Sequence, residues 1–134
     1  MAVTLLTYGT FDLLHYGHIR LLSRARALGD RLIVGVSTDS FNALKGKGAQ
    51  LSFEERCAYL STLRCVDEVI PEESWEQKAD DIRRHGVSSF VMGSDWAGHF
   101  DELAALCQVV YLDRTPEISS TLLRDALGAL KAAT

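Results

Sequence analysis

The sequence contains little cysteine and no long apolar segment. Its three cysteines, Cys57, Cys65 and Cys107, include no C-x-x-C pair, which argues against a disulfide framework and against a structural zinc site. No apolar run reaches the roughly 18 residues that a membrane-spanning helix needs. The first residues carry no basic segment of the kind that opens a signal peptide. We therefore expect reduced thiols, no membrane association and a cytoplasmic location.

Positive charge is also scarce. The chain has 14 lysines and arginines against 18 aspartates and glutamates, which gives a net charge of -4 at pH 7. This balance argues against general nucleic-acid binding, which needs a basic face, but it is compatible with a small basic pocket for an anion. A length of 134 residues and a hydrophobic share of 47% predict a single domain, residues 1–134, with enough apolar surface to fold.

Apolar runs alternate with amphipathic segments along the chain. The runs predict strands at residues 3–8, 31–37, 66–70, 88–93 and 108–112. The amphipathic segments predict helices at residues 18–28, 52–64, 75–85 and 98–106, and a last helix that starts at Ser119 or Ser120 and ends near residue 132. This alternation predicts an α/β fold: a Rossmann-like, five-stranded parallel sheet with helices on both faces.

The loops that follow the strands carry the polar residues of interest. In an open parallel sheet, ligands bind beyond the carboxyl ends of the strands, where the strand order reverses. The segments that follow four of the predicted strands should therefore line one cleft: residues 9–18, 37–47, 93–95 and 114–121.

The first of these segments reads G-T-F-D-L-L-H-Y-G-H and leads into a helix. A helix N-terminus offers unpaired N–H groups and the positive end of a dipole to an anion, and glycines let the anion approach the backbone. His15 and His18 are one turn apart and can face the same anion. Helix capping is the alternative interpretation, and a metal pair lacks a third ligand.

Two further segments carry positive charge. Lys45 and Lys47 stand in K-G-K-G within the polar stretch 38–50; on an extended loop they would point the same way and reach a polyphosphate. A solvated surface loop is the alternative. Arg114 opens R-T-P-E-I-S-S-T, where a forked guanidinium is followed by hydroxyls and N–H groups at the start of the last helix. Capping explains one of those hydroxyls but not all of them.

Together these segments resemble the cytidylyltransferase family of the H-x-G-H nucleotidyltransferase superfamily. The strings S-T-D-S-F-N, V-D-E-V-I-P, W-E-Q-K and V-M-G-S-D-W-A-G-H-F-D-E-L extend the resemblance over nearly the whole chain, toward members that act on glycerol 3-phosphate. The resemblance implies an enzyme that converts CTP and glycerol 3-phosphate into CDP-glycerol and pyrophosphate, for polymers of the teichoic-acid type. It also implies a homodimer, and Mg²⁺ or another divalent cation carried with CTP.

Two alternatives stay open from the sequence. One is a related cytidylyl- or adenylyltransferase that acts on another phosphorylated alcohol or on FMN, because such relatives also carry H-x-G-H. The other is a nucleotide-binding module without catalytic activity.

The resemblance implies a role for each matching residue. Catalysis falls to His15, His18, Lys47 and Arg114. CTP would be bound by Gly9, Thr10, Phe11, His15, Tyr16, Gly17, His18, Lys47, Asp95, Arg114, Thr115, Ile118, Ser119, Ser120 and Thr121. Glycerol 3-phosphate would be bound by Lys45, Arg56, Arg64, Trp75 and Lys78. No protein ligand for a metal is implied.

The roles of some aspartates stay open, and one of these aspartates is a difference from the family pattern. Asp12, Asp39 and Asp67 recur in the family pattern, and both loop bracing and ligand binding remain open for them. Asp113 stands where the family usually has proline, and it would either hold Arg114 or weaken the positive field of the site.

Overall fold

The computed structural model describes residues 2–113. Its strands are β1 (Thr4–Gly9), β2 (Arg31–Ser37), β3 (Glu68–Glu72), β4 (Ser89–Gly93) and β5 (Gln108–Leu112). Its helices are α1 (Tyr16–Arg26), α2 (Asp39–Leu44), α3 (Phe53–Ser61) and α4 (Gln77–His85), with short 3-10 segments at Ser94–Trp96 and Asp101–Ala105. None of these described helices is long and apolar enough to cross a membrane. The helix predicted after Ser119 lies outside the described residues.

The five strands form one parallel sheet in the order β3-β2-β1-β4-β5. β1 lies at the centre and pairs with β2 on one side and with β4 on the other. The order of the strands reverses between β2-β1 and β4-β5, so the loop after β1 opens at the switch point of the sheet. The predicted five-stranded parallel α/β fold is confirmed.

Apolar residues fill both faces of the sheet, because the alternate side chains of a strand point in opposite directions. On one face Leu5, Leu32 and Val34 pack with Leu22 of α1 and Leu60 of α3. On the other face the buried cluster comprises Leu6, Tyr8, Ile33, Ile70, Ile82, Val87, Phe90, Met92, Phe100 and Leu103. In residues 2–113, helices therefore cover both faces of the sheet, and the ends of the strands remain open to a ligand.

Three predicted elements differ from the structure. The stretch 38–50 contains helix α2, which begins because the Thr38 hydroxyl accepts a hydrogen bond from the Phe41 N–H. Pro71 does not end the third strand: β3 is an edge strand, where a missing N–H is tolerated, and it continues to Glu72. Residues 98–106 do not form an α-helix, and Gly98, at φ 86°, precedes a short 3-10 segment instead.

Candidate active site

The loop between β1 and α1 is held in an unusual backbone conformation. Phe11 and Leu13 have positive φ values of 54° and 48°, a region that side chains rarely adopt. Such strain persists only where the surroundings fix it. The Phe11 ring is buried, and the buried Asp12 carboxylate accepts hydrogen bonds from the N–H groups of Gln50 (2.9 Å) and Leu51 (3.0 Å). Asp12 therefore ties this loop to the segment that follows Lys45 and Lys47.

The two histidines begin helix α1. His15 is the N-cap: its Nδ1 accepts a hydrogen bond from the Gly17 N–H at 3.0 Å. The Nδ1 of His18 in turn accepts from the His15 N–H at 3.3 Å, which completes a reciprocal capping box. Because each Nδ1 is an acceptor, the proton of each neutral ring lies on Nε2. The capping interpretation is therefore correct, and it also sets which ring nitrogen donates.

The His18 ring is neutral at physiological pH. The two imidazoles stack with their centroids 3.9 Å apart, and the Phe11 ring meets His18 edge-on at 5.6 Å. Burial, together with the nearby His15, lowers the pKa of His18 from 6.5 to about 4. His18 therefore presents an N–H donor without carrying a charge.

Two cavities meet at this histidine. The first, of about 270 Å³, is lined by both histidines, by the end of β4 and by Asp113. The second, of about 450 Å³, is lined by Lys45, Lys47 and Lys78. His18 lines both cavities. The other residues that line both are Tyr8, Gly9, Thr10, Phe11, Met92 and Trp96. A group bound in one cavity can thus meet a group bound in the other beside His18.

Lysine ammonium groups in the second cavity are arranged around one buried carboxylate. Lys78 Nζ donates to Glu72 Oε2 at 2.8 Å, and the Ser37 hydroxyl donates to Glu72 Oε1 at 2.8 Å. Lys45 Nζ donates to the same Ser37 hydroxyl at 3.0 Å. Burial lowers the pKa of Lys45 below its usual value, Glu72 opposes that shift, and Lys47 and Lys78 add to it. Two ammonium groups beside one carboxylate leave an excess of positive charge that suits an anion.

Arg56 does not lie where the sequence placed it. It is 1% exposed and lines neither cavity, so it is not placed for the predicted contact with the acceptor. Its Nη1 donates to the carbonyls of Thr10 (2.9 Å) and Ser37 (2.7 Å), and its Nη2 donates to Asp39 at 2.7 Å. Arg56 therefore braces the loops that follow β1 and β2.

Other predicted residues divide between cavity walls and surface. Asp95 lines the first cavity and Trp75 the second. Arg64 is exposed beyond the end of α3, and Tyr16 is 59% exposed on α1; neither lines these cavities. The predicted positions beyond Asp113 lie outside the described residues: Arg114, Thr115, Ile118, Ser119, Ser120 and Thr121.

The remaining aspartates brace loops. Asp39 accepts a hydrogen bond from the Phe53 N–H at the start of α3, in addition to its pair with Arg56. Asp67 accepts from the Leu32 N–H at 2.7 Å and pairs with Arg26 at 3.0 Å. These contacts show that Asp39 and Asp67 brace loops.

Sequence reasoning missed two polar residues beside the cavities. The sequence pattern predicts that the third strand ends before Pro71, which leaves Glu72 outside the strand. In the structure β3 ends at Glu72, so this residue lies at the carboxyl end of a strand, where the other cavity residues also lie. The buried Asn42 accepts a hydrogen bond from the Thr10 hydroxyl at 3.2 Å and belongs to helix α2, which was not predicted.

Known proteins are similar to this chain in sequence. A family model described as cytidylyltransferase-like matches residues 6–126. The chain belongs to the cytidylyltransferase-like family. This cytidylyltransferase-like chain is 56% identical over 125 residues to the glycerol-3-phosphate cytidylyltransferase of Bacillus subtilis (strain 168), covering 93% of this chain and 97% of the relative. It is 53% identical over 122 residues to the glycerol-3-phosphate cytidylyltransferase of Staphylococcus aureus (strain NCTC 8325 / PS 47). This match covers 91% of this chain and 92% of the relative.

A solved structure supports the fold of this cytidylyltransferase-like chain. The crystal structure of the lipopolysaccharide core biosynthesis protein from Thermoplasma volcanium GSS1 superposes with a TM-score of 0.73 at 24% identity. The superposition covers 86% of this chain and 99% of that protein.

Proposed function

We propose that this cytidylyltransferase-like chain transfers the cytidylyl group of CTP to glycerol 3-phosphate, with CDP-glycerol and pyrophosphate as products. The observation that carries this proposal is the junction at His18, where a cavity with a capped helix N-terminus meets a cavity walled by lysines. The glycerol-3-phosphate cytidylyltransferases at 53% and 56% identity, matched over nearly their whole lengths, support the choice of acceptor.

CTP would occupy the first cavity, with its α-phosphate beside His18. The histidine-capped start of α1 supplies backbone N–H groups and the positive end of the helix dipole. Asp95 lies in the same cavity and is a candidate contact for the nucleoside. The family resemblance alone assigns to CTP the residues Arg114, Thr115, Ile118, Ser119, Ser120 and Thr121.

Glycerol 3-phosphate would occupy the second cavity, with its phosphate near Lys45 and Lys78. An oxygen of that phosphate attacks the α-phosphorus, a new P–O bond forms, and the bond from the α-phosphorus to the bridging oxygen of pyrophosphate breaks. The acceptor is already an anion, so the step requires neither a general base nor a protein nucleophile. The Nε2–H groups of His15 and His18, with Lys47, would stabilise the charge that develops on the α-phosphate.

The divalent cation and the oligomeric state are part of the proposal. Among residues 2–113 no three histidine, cysteine or acidic side chains form a metal cluster. Mg²⁺ usually binds through substrate phosphates and few protein ligands, so it would come with CTP. The homodimer and the supply of CDP-glycerol to a polymer of the teichoic-acid type rest on the family resemblance.

The test is a substrate panel. Pyrophosphate release is measured from CTP and from ATP, each with glycerol 3-phosphate, other phosphorylated alcohols and FMN. We expect turnover with CTP and glycerol 3-phosphate to exceed every other pair. Release with ATP but not with CTP would overturn the cytidylyl assignment, and CTP binding without turnover on any acceptor would establish a non-catalytic module.

A further inference from the structure

The Lys78 ammonium lies inside a cage of aromatic rings. Its Nζ is 4.7 Å from the centroid of Tyr8, 5.1 Å from that of Trp75 and 5.6 Å from that of Phe100. All three distances fall within the about 6 Å at which a cation is attracted to a ring face. We call Tyr8, Trp75 and Phe100 the aromatic cage.

A carboxylate accompanies the cage. Glu72 is 3% exposed and pairs with the Lys78 ammonium at 2.8 Å, with both side chains almost fully buried. Aromatic faces beside a carboxylate are the chemistry that binds an organic ammonium ion. In this protein the cation that fills the cage is the chain's own lysine.

Lys78 also lies in the wall between two cavities. It lines the second cavity and a third cavity of about 480 Å³, which is bounded by Trp75, Trp96, His99 and Phe100 among others. Shortening this side chain would open the cage toward the third cavity. The space released is next to the position proposed for the acceptor phosphate.

We propose that Lys78 occupies a latent ammonium site and thereby makes the acceptor cavity select phosphorylated polyols over phosphorylated amino alcohols. This inference rests on the proposed function, because it concerns the acceptor of that reaction. An amino alcohol phosphate would bring its ammonium group against that of Lys78, while Glu72 is already paired. A polyol phosphate carries no such charge.

The first experiment compares acceptors in variants. For the wild type and for Lys78→Ala, kcat/KM is measured with CTP and either glycerol 3-phosphate or phosphoethanolamine. We expect Lys78→Ala to raise the ratio of phosphoethanolamine to glycerol 3-phosphate at least about tenfold, because the like charge is removed and the aromatic cage is emptied for the ammonium group. Lys78→Met is the matched control, because it removes the charge but refills the cage; its ratio should rise less. An unchanged ratio in Lys78→Ala would overturn the proposal.

The second experiment does not depend on activity. Choline is titrated into four proteins: the wild type, Lys78→Ala, Lys78→Met and the double variant Lys78→Ala with Glu72→Gln. Binding is followed by tryptophan fluorescence, because Trp75 is one wall of the cage. We expect saturable binding to Lys78→Ala, and binding at least about tenfold weaker to the other three, because the cage is filled or its carboxylate is lost. Equal binding to the wild type and Lys78→Ala, or to Lys78→Met and Lys78→Ala, would refute the latent site.

The two experiments separate the cage from the reaction. If the wild type fails to use glycerol 3-phosphate but Lys78→Ala binds choline, the proposed function falls and the ammonium site stands. Should Lys78→Ala not fold, Lys78→Gln removes the charge and keeps an N–H donor for Glu72; the acceptor ratio must then rise in that variant, and an unchanged ratio would refute the proposal.

Discussion

Replacing Arg56 tests whether this residue braces the site or binds the acceptor. Arg56→Met removes the donors to the carbonyls of Thr10, Ser37 and Leu51 while keeping an apolar stem. A buried acceptor left without a partner costs about 1–3 kcal/mol, so the buried Ser37 carbonyl and the half-buried Thr10 and Leu51 carbonyls together predict a loss of roughly 2–6 kcal/mol. The pair with Asp39 adds little, because that carboxylate is 56% exposed. A loss of this size is a large part of the stability of a typical domain.

The assay combines urea unfolding with substrate kinetics. Because Arg56 holds the backbone of Thr10, which lines both cavities, the folded variant should show higher KM values for both CTP and glycerol 3-phosphate. The control is Arg83→Met, whose side chain is 62% exposed in a pair at 3.4 Å and should change the free energy of unfolding by less than about 1 kcal/mol. If Arg56→Met leaves the free energy of unfolding unchanged and raises the KM for glycerol 3-phosphate alone, the bracing role is refuted. That result would support direct contact between Arg56 and the acceptor.

Four other predictions test the site and the packing of the sheet. His18→Ala should lower kcat by about two to three orders of magnitude, as for the loss of one donor to the transition state, with the fold retained; unchanged turnover would make His18 a bystander. The pKa of His18 is lowered from 6.5 to about 4, so the unfolded chain binds a proton in that range and the folded one does not. As the pH is lowered from 6.5 to 4, the free energy of unfolding of the wild type should therefore decrease. Urea unfolding should show a smaller decrease for His18→Gln, which lacks the imidazole. Lys78→Ala should raise the KM for glycerol 3-phosphate about 10- to 100-fold, since a charged hydrogen-bond donor is lost; an effect confined to the KM for CTP would contradict the acceptor role. Gly35→Ala places a Cβ 2.2 Å from the Tyr8 ring, and we expect thermal unfolding to show a loss of about 1–3 kcal/mol; a neutral result would mean that the ring moves at no cost.

The sequence predicts the sheet well because its signals are local. Continuous apolar runs marked the buried strands, and their parallel order followed from the alternation with helices. The residue types in G-T-F-D-L-L-H-Y-G-H predict an anion site at the start of α1, and the structure brings both histidines to one cavity wall. Lys45 and Lys47 also share a cavity, although Lys45 reaches it from the end of a helix and not from an extended loop.

What the sequence could not supply are contacts between distant segments. The spacing of Arg56 in a helix is compatible with an exposed ion pair, with substrate binding or with burial; only the approach of Thr10 and Ser37 decides among them. The pairing of Glu72 with Lys78 depends on β3 extending past a proline, which holds only because β3 lies at the edge of the sheet. The aromatic cage likewise joins rings from β1, from the segment before α4 and from the segment before β5.

The central position of β1 has a consequence for how the protein is made. β1 leaves the ribosome before the other four strands of this sheet, yet one of its two neighbours is β4, and the contact between Thr7 and Met92 spans 85 residues. Pairings this distant form late, because a long loop must close before they stabilise anything. The histidines are therefore synthesised well before β4, but they acquire their pocket only when β4 has emerged, so nascent fragments that stop before β4 should have no activity.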